Sequence, residues 1–408
     1  YRQPPEPIRR AAAGLAARGF KKGDVLAIYS PNLPEYGVAM LAAATLGGVT
    51  TTANPHYTAD ELAKQLQDSR AKLLLTVPPF LDKAKEAAQK VGIQDVYVFG
   101  AAEGARPFAE LLQAGDQPPT VAIDPAQDLV VLPYSSGTTG LPKGVMLTHR
   151  NLVANLCQAE AMEKFDGFSE RDVIMAFLPF FHIYGMVVIM MFGLAGGGTI
   201  VSMPRFDLVE FLTLVQKYRA TILPLVPPVV LGMVKHPAVA QFDLSSVRLV
   251  FSGAAPLGED IARELSRKLG CPVVQGYGMT EASPVTHLSP THDAPLEPGS
   301  VGRVVPGTDV KMVDVVTLEE VAQGAEGELW IRGPQIMKGY LGRPEETAAC
   351  LDREGWYHTG DVGYVDADGF FFIVDRTKEL IKYKGLQVAP AELEALLVTH
   401  PAVLDAAV

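Results

Sequence analysis

The residue types best suited to chemistry lie in a loop that is rich in glycine, serine and threonine and carries one lysine. The loop spans Tyr134–Gly144 (YSSGTTGLPKG) and follows an apolar run, Leu129–Tyr134, that predicts a β-strand. Hydroxyl groups and glycine amides in such a loop bind phosphate oxygens, and a lysine neutralises their charge. The loop therefore predicts a phosphate site, for which the candidate residues are Ser135, Ser136, Gly137, Thr138, Thr139 and Lys143.

The order of residues in this loop argues against one common class of phosphate-binding enzyme. A Walker A loop ends in Gly-Lys followed by serine or threonine, whereas Lys143 lies between Pro142 and Gly144. The sequence therefore nearly excludes a P-loop kinase.

A second glycine-rich turn, Gln275–Ala282 (QGYGMTEA), follows another predicted strand. It carries Tyr277, Thr280 and Glu281. An aromatic face can stack on adenine, a hydroxyl can bond a phosphate, and a carboxylate can hold Mg²⁺. Taken alone, the turn fits equally well a plain strand-to-helix turn with a surface glutamate.

Several weaker signals have both a functional and a purely structural interpretation. The small residues of Ser252–Gly258 would let a flat ring lie against the backbone. Asp361, in a Thr-Gly-Asp turn, can accept both hydroxyls of a ribose, and Arg376 can donate to ribose or phosphate. Aspartate in a turn is more often only a turn former, however. His182 stands in an apolar stretch, where a histidine is usually a core residue.

The elements that would position these residues alternate between strand and helix. Short apolar runs predict two mostly parallel sheets covered by helices on both faces. Thr58–Glu61 is a capping box that predicts a helix towards Ser69, and Asp207 is placed to cap a helix over Leu208–Tyr218. The predicted strands are Val25–Tyr29, Lys72–Val77, Val96–Phe99, Ile174–Phe177, Thr199–Ser202, Ile222–Val226, Leu249–Ser252 and Val273–Gln275.

After about Pro298 the pattern changes to short strands separated by Gly and Pro turns. Val301–Val304, Asp309–Val313 and Glu328–Arg332 predict a small antiparallel or barrel-like unit, and residues 364–374 predict a hairpin. We expect residues 1–375 to form a large domain of two α/β subdomains and this β-rich unit, at about 299–375. Residues 376–408 would be a hinge and the incomplete start of a small α+β domain, with a helix over 390–398.

Composition limits the possible partners and compartment. The 408 residues carry a formal net charge of −11, which argues against general nucleic-acid binding. The three cysteines, Cys157, Cys271 and Cys350, are far apart and lack metal-ligand spacing, which suits a reducing, cytoplasmic environment. The segment 183–204 has no charged residue, but its glycines predict a buried helix near 186–194 and a strand rather than a transmembrane span.

Taken together, these motifs resemble the signature of the adenylate-forming superfamily. This superfamily includes acyl- and aryl-CoA synthetases, firefly-type luciferases and peptide-synthetase adenylation domains. The motif sequences in this chain resemble most those of 4-coumarate–CoA ligases and related acyl-CoA ligases. The resemblance covers nearly the whole chain. The segments that carry it, besides the first loop, are LPFFHIYG (178–185), SGAAPLG (252–258), QGYGMTEA (275–282), WYHTGD (356–361) and VDRTKELIKYKGLQVAP (374–390).

The resemblance implies roles for individual residues. It places adenine against Tyr277, ribose on Asp361 and Arg376, and Mg²⁺ on Glu281. Further nucleotide contacts would come from Gly253, Ala254, Ala255, Gln275, Gly276, Thr280 and Lys378. The implied acyl pocket is His182, Tyr184, Val188, Ala254 and Gly276. Besides Lys143 and His182, the implied catalytic residues are Lys382 and Gln387, and the implied coenzyme A contacts are Arg205, Lys384 and Gly385.

The activity implied by the resemblance has two steps and leaves the substrate open. A carboxylate attacks the α-phosphorus of Mg-ATP and releases pyrophosphate, and coenzyme A then displaces AMP. The acid would be a hydroxycinnamate or other aryl acid, or a medium-to-long-chain fatty acid, for which the apolar residues after Tyr184 leave room. The alternatives are a carrier protein or oxygen as the second-step partner, or a non-catalytic nucleotide-binding protein. The family also has a late C-terminal lysine that assists adenylation, and without it we expect this chain to adenylate poorly.

Overall fold

The alternating apolar runs and amphipathic helices fold into two large sheets and one smaller four-stranded sheet, and a separate two-stranded hairpin follows them in the chain. The computed structural model describes residues 5–135, 142–162, 165–292, 297, 299–376, 381–383, 386–388, 390–398, 400, 403 and 406–408, and only the backbone of 381–383, 386–388, 391, 392, 395 and 398. The strands, in chain order, are β1 (Val25–Tyr29), β2 (Val49–Ala53), β3 (Ala71–Thr76), β4 (Asp95–Val98), β5 (Arg106–Pro107), β6 (Leu129–Ser135), β7 (Lys143–Thr148), β8 (Val173–Ala176), β9 (Thr199–Ser202), β10 (Ile222–Leu225), β11 (Leu249–Ser252), β12 (Val273–Gly278), β13 (Val285–Leu288), β14 (Arg303–Val304), β15 (Asp309–Val313), β16 (Gly327–Arg332), β17 (Gly339–Tyr340), β18 (Tyr357–Val365), β19 (Phe371–Arg376), β20 (Ile381–Tyr383) and β21 (Leu386–Val388).

Helices cover the two large sheets. The helices are α1 (Glu6–Ala17), α2 (Pro34–Thr45), α3 (Ala59–Asp68), α4 (Leu81–Val91), α5 (His149–Glu160), α6 (Phe192–Ala195), α7 (Leu208–Tyr218), α8 (Pro227–Lys235), α9 (Glu259–Leu269), α10 (Pro344–Ala348) and α11 (Pro390–Val398). Short 3₁₀ turns lie at Pro78–Phe80, Phe108–Gln113, Pro237–Gln241 and Thr280–Ala282, and Tyr184–Met191 is wound as a π-helix. Within the part of the chain that the structure describes, none of the helices has the length and apolar character needed to span a bilayer.

The two large sheets are mostly parallel, as predicted. The first has the order β17-β7-β6-β2-β1-β3-β4-β5, and only β7 and β17 run antiparallel to their neighbours. The second has the order β14-β13-β12-β11-β10-β8-β9, in which β13 and β14 are antiparallel. Buried residues of both sheets form one continuous apolar cluster, so the sheets pack as a single unit.

The small unit is a four-stranded antiparallel sheet with the order β15-β16-β18-β19. One strand predicted to belong to it lies elsewhere, because β14 pairs with β13 at the edge of the second sheet. A close backbone approach explains this placement. A Cβ on Gly302 would lie 2.0 Å from the carbonyl carbon of Leu288, so only glycine lets the chain run along β13 here.

The predicted hairpin is also longer than expected. Strand β18 begins at Tyr357 and includes the Thr-Gly-Asp segment that was interpreted as a turn. Gly360 has φ +73°, and the backbone N–H of Asp361 donates to Thr359 Oγ1, so a local irregularity lies within the strand. The Thr-Gly-Asp segment therefore does bend the backbone as a turn would, but the bend lies within a strand and does not end it.

Candidate active site

One cavity of about 780 Å³ is lined by residues of all three sheets. It lies where the parallel strands β6, β8, β11 and β12 end, which is the usual ligand-binding edge of an α/β sheet. The predicted residues that line it are Ser135, Lys143, His182, Tyr184, Val188, Gly253, Ala254, Gly276, Tyr277, Thr280, Glu281, Asp361 and Arg376.

At one end of the cavity, hydroxyl groups and a lysine surround Glu281. The hydroxyls of Ser135 and Tyr340 donate to Glu281 Oε1 at 2.9 and 2.8 Å. Lys143 Nζ lies 4.6 Å from the centroid of the Tyr340 ring, which is a cation–π distance. Residues that are as much as 205 positions apart in the sequence, Ser135 and Tyr340, therefore belong to one polar cluster, next to the ends of the phosphate loop.

The residues of this cluster fit a Mg²⁺ ion that arrives with a nucleotide. Glu281 is buried, and both of its hydrogen bonds end on Oε1. Oε2 therefore receives no hydrogen bond from the described residues. Mg²⁺ bound with a nucleotide usually takes one or two protein carboxylates and completes its shell with phosphates and water. Within the described ranges, no group of three or more His, Cys, Asp or Glu side chains is placed to hold a metal ion.

Tyr277, Asp361 and Arg376 form a second polar group in the cavity lining. The Tyr277 hydroxyl donates a short hydrogen bond to Asp361 Oδ2, and Arg376 Nε lies 3.4 Å from Asp361 Oδ1. Burial raises the pKa of Asp361, and Tyr277 and Arg376 partly offset this by stabilising its charge. Glu328 accepts from the Gly360 backbone N–H at 2.9 Å and so supports the strand segment that presents Asp361. This group of side chains can bind vicinal hydroxyls.

A histidine that sequence reasoning missed supports Tyr277. His287 is fully buried on β13, paired in register with Tyr277, and its ring lies between Tyr277 (5.6 Å) and Phe371 (4.4 Å). Thr286 Oγ1 donates to the Tyr277 carbonyl, so His287 Nδ1 must donate to Thr286 Oγ1 and Nε2 carries no proton. Burial lowers the pKa of His287 to about 3. The only sequence signal was a histidine inside an apolar run.

His182 faces the cavity in a defined tautomer. Its Nδ1 accepts the backbone N–H of Tyr184 at 3.2 Å. The side chain is exposed to the cavity, yet desolvation by the protein around it lowers its pKa. The imidazole is therefore neutral at pH 7 and carries its proton on Nε2. Nε2 has no hydrogen-bond partner among the described residues, so it can donate to an anion in the cavity. The predicted place of His182 near a reacting carboxylate is consistent with this arrangement.

The remaining wall of the cavity is apolar and closely packed. Tyr184 and Phe251 meet edge to face, with ring centroids 6.1 Å apart. A Cβ on Gly253 would lie 3.2 Å from the Tyr184 ring, and a Cβ on Gly276 would lie 2.6 Å from the Phe251 ring. The glycines therefore let both rings approach the strand ends. Tyr184, Val188, Phe251, Gly253 and Gly276 form this wall.

Three predicted site residues lie outside the cavity lining, and one of them, Ala255, is exposed in the turn after β11. Gln275 is buried, and its side-chain amide bonds the backbone N–H and carbonyl of Leu257, so it anchors the turn after β11. Arg205 is exposed in the segment after β9. Because β9 is parallel to β8, Arg205 lies at the same sheet edge as the cavity. Ser136, Gly137, Thr138, Thr139, Lys378, Lys384 and Gly385 lie outside the described residues, as do the side chains of Lys382 and Gln387.

The first sheet contributes lining residues that the sequence did not single out. Asn54 and Tyr57, in the segment between β2 and α3, and Gln65, on α3, line the cavity. Tyr134, just before the phosphate loop, donates to Asp68 Oδ2 at 2.7 Å, and Arg343 lies 3.5 Å from the other oxygen of Asp68. Apart from Tyr134, which opens the phosphate loop, no local motif marks these residues, because their contacts form only when parts of the chain that are distant in sequence meet.

Comparison with known proteins agrees with this geometry. The family model described as "AMP-binding enzyme" matches residues 1–341. A 4-coumarate–CoA ligase of Petroselinum crispum is 47% identical over 98% of this chain and 74% of its own length. One of Oryza sativa is 49% identical over 98% of this chain and 75% of its own. The ATP-bound structure of MatB from Rhodopseudomonas palustris superposes with a TM-score of 0.88 at 32% identity, covering 98% of this chain and 79% of that one.

The family match covers most of the chain, and the identities to two ligases extend over nearly all of it. The fold also agrees with the superposition on the solved ligase structure. The chain therefore belongs to the AMP-binding enzyme family.

Proposed function

We propose that this enzyme activates an aryl carboxylic acid of the hydroxycinnamate type with ATP and transfers the acyl group to coenzyme A. The observation that carries the proposal is a single cavity lined by Lys143 and the hydroxyl-bonded Glu281, by the Tyr277–Asp361–Arg376 group and by an apolar wall. The names of the ligases that are similar over nearly the whole chain favour an aryl acid and coenzyme A as substrates. A fatty acid is the less favoured substrate.

In the first step, a carboxylate oxygen of the acid bonds to the α-phosphorus of ATP while the bond to pyrophosphate breaks. The two reactants are both anionic, so the chain must offset their repulsion. Lys143 and the Ser135 hydroxyl lie at the phosphate end, and His182 Nε2–H is free to hold the carboxylate. Mg²⁺ held by Glu281 would supply further positive charge to the phosphates. One well-placed donor contributes about 3 kcal/mol in such sites.

In the second step, the thiol of coenzyme A loses its proton, its sulfur bonds to the acyl carbon, and AMP leaves with the bonding electrons. No protein nucleophile is required, because the thiol itself attacks. Arg205, Lys384 and Gly385 are the proposed coenzyme A contacts. Lys382 and Gln387, whose backbones pair in the β20–β21 hairpin, are proposed to act near the acyl-adenylate. Lys378 is proposed as the hinge.

The proposal is tested by mass spectrometry of the products that the full-length protein forms. The protein would receive Mg-ATP and cinnamic, benzoic or fatty acids, with and without coenzyme A. We expect acyl-AMP from aryl acids and its conversion to the thioester when coenzyme A is added. An adenylate that coenzyme A leaves unchanged would indicate a carrier protein or oxygen as the acceptor. Absence of adenylate with every acid would contradict catalysis.

The proposal also includes a cytoplasmic location. Cys157, Cys271 and Cys350 are all free thiols, which suits a reducing compartment. Fractionation of the source cells would test this part separately, and recovery of the protein in an oxidising compartment would contradict it.

A further inference from the structure

We propose that Tyr340 is a positioning residue that keeps Glu281 and Lys143 apart, so that the carboxylate stays available to a metal ion and the ammonium group stays available to phosphate. The inference rests on the proposed function, because it concerns how the site binds Mg-ATP. It extends that function by giving a role to a residue that the sequence motifs did not single out.

The segment that carries Tyr340 is attached to both charged residues through the backbone. On one side, the Met337 N–H donates to the carbonyl of Glu281 at 2.8 Å. On the other side, β17 pairs antiparallel with β7, which begins at Lys143. Tyr340 therefore lies between the two charged residues, where one side chain can contact both.

Helix α10 fixes the backbone of Tyr340. Thr347 Oγ1, on this helix, accepts the Tyr340 N–H at 2.9 Å. Gly339 has φ +139°, and a Cβ there would lie 2.8 Å from Thr347 Cγ2, so glycine suits both this backbone conformation and this close approach. Tyr340 is itself buried, with 6% of its surface exposed. The fold therefore determines where its side chain points.

The two parts of the tyrosine side chain contact the two charged groups. Its hydroxyl donates to Glu281 Oε1 at 2.8 Å, and Lys143 Nζ lies 4.6 Å from the centroid of its ring. Burial and the negative charge of Glu281 raise the pKa of Tyr340, so the hydroxyl keeps its proton and acts as the donor. Among the described residues, the Glu281 carboxylate contacts hydroxyls and Lys143 contacts the ring, and the two charges form no direct ion pair.

This separation matters because the two charges have different targets. A direct ion pair would neutralise both groups and occupy the carboxylate oxygens that a metal needs. In the present arrangement Glu281 Oε2 receives no hydrogen bond from the described residues, and a contact with the ring leaves N–H donors of Lys143 for phosphate oxygens. Groups that orient a metal-binding carboxylate contribute roughly 10- to 100-fold to metal affinity. Tyr340 should therefore increase the affinity for ATP mainly when Mg²⁺ accompanies it.

Two substitutions separate the role of the hydroxyl from that of the ring. Tyr340→Phe removes only the hydrogen bond to Glu281, whereas Tyr340→Leu also removes the ring next to Lys143. Calorimetry would give the dissociation constant of the full-length protein for ATP with Mg²⁺ and with EDTA, without acid or coenzyme A. For Tyr340→Phe we expect a rise of about 10-fold with Mg²⁺ and little change with EDTA. For Tyr340→Leu we expect a several-fold rise with EDTA as well.

Tyr218→Phe is the matched control. Tyr218 is 45% exposed on α7, has Lys217 Nζ 5.0 Å from the centroid of its ring and lines no part of the described cavity. The substitution removes a hydroxyl from a similar tyrosine–lysine pair, and both dissociation constants should stay the same. Because both constants are measured on one preparation of each variant, their ratio does not depend on the fraction of protein that is folded.

A double substitution tests whether Tyr340 acts through Glu281. Glu281→Ala removes the carboxylate, so adding Tyr340→Phe to it should not weaken Mg-ATP binding further. A further loss in the double variant would overturn the inference. So would an equal effect of Tyr340→Phe with Mg²⁺ and with EDTA, or no effect in either condition. These outcomes leave the proposed function intact, whereas a parent protein that binds no ATP would contradict the proposed function itself.

Discussion

At the residue scale, the account depends on a small number of polar side chains whose partners fix their protonation and orientation. Glu281 receives two hydroxyl hydrogen bonds on one oxygen. His182 is held as the Nε2–H tautomer by a backbone N–H. His287 is held as the Nδ1–H tautomer behind Tyr277. Each arrangement can be tested by substitution. Replacing Glu281 or His287 by glutamine changes the charge or the protonation of the side chain more than its shape.

Glu281→Gln removes a negative charge and keeps an oxygen that can accept from Ser135 and Tyr340. The fold should therefore persist, while the balance of charge with Lys143 and the proposed Mg²⁺ is lost. We expect pyrophosphate release to fall roughly 100-fold or more at saturating acid, with little change in melting temperature. The control is Glu319→Gln, in the exposed loop after β15. A drop of less than threefold in Glu281→Gln would remove Glu281 from the mechanism.

His287 should make stability depend on pH. Its pKa is about 3 in the folded state and near 6.5 when unfolded, because burial opposes its charge. As pH falls from 6.5 towards 3, the unfolded chain takes up a proton that the folded chain does not. The free energy of unfolding therefore falls by about 1.4 kcal/mol per pH unit across this window, relative to a chain without His287.

Urea unfolding at pH 7, 6, 5 and 4 measures this dependence. His287→Gln should lose less stability than the parent on acidification, even if it is less stable at pH 7. His56→Gln changes an exposed histidine and should retain the parent slope. Parallel slopes for the parent and His287→Gln would show that His287 titrates normally.

At the element scale, the sequence predicted those elements best whose ends are marked by local chemistry. Helix α3 begins after a capping box at Thr58, and α7 begins after the Asp207 cap, both as predicted. Strand β13 and the position of β14 were missed, because they depend on the edge that β12 offers and on the Gly302 contact. The π-helix at Tyr184–Met191 was predicted as an ordinary helix starting later. A local sequence pattern does not show which distant strand or backbone segment an element will contact.

Helix α3 should influence ATP binding through its last residue. Asp68 accepts from Tyr134, which lies beside the phosphate loop, so Asp68→Ala leaves that hydroxyl without its partner. We expect a several-fold rise in KM for ATP and a smaller change in KM for the acid. Asp60→Ala, at the exposed start of the same helix, should alter neither value. An equal effect of both substitutions would indicate that helix stability, and not the Tyr134 contact, is responsible.

At the scale of the whole molecule, the cavity exists only because three sheets meet. Of the site residues that were predicted from the motifs, thirteen line this cavity. The sequence could not show that Gln275 supports a turn instead, or that Tyr340 and His287 complete the two polar clusters. Those contacts join residues that are far apart in the chain, and no periodicity or spacing reports them.

Because Mg-ATP would touch all three sheets that line the cavity, its binding should stabilise the whole molecule. Mg-ATP at 100 times its dissociation constant adds about 2.7 kcal/mol to the free energy of unfolding. We therefore expect a clear rise in melting temperature with Mg-ATP, and a smaller rise with ATP in the presence of EDTA. Mg²⁺ alone should have little effect, because the described residues form no cage of their own. Equal rises with and without Mg²⁺ would contradict the role proposed for Glu281.

The central claim is that the acid is activated by direct bonding of its carboxylate to the α-phosphorus of ATP. The most direct measurement follows ¹⁸O from a cinnamate labelled in both carboxylate oxygens, with the full-length protein, Mg-ATP and coenzyme A. The account predicts that the AMP produced carries one ¹⁸O, that pyrophosphate carries none, and that the thioester keeps the other. Label in inorganic phosphate, with ADP as the nucleotide product, would show an acyl-phosphate route and contradict the account.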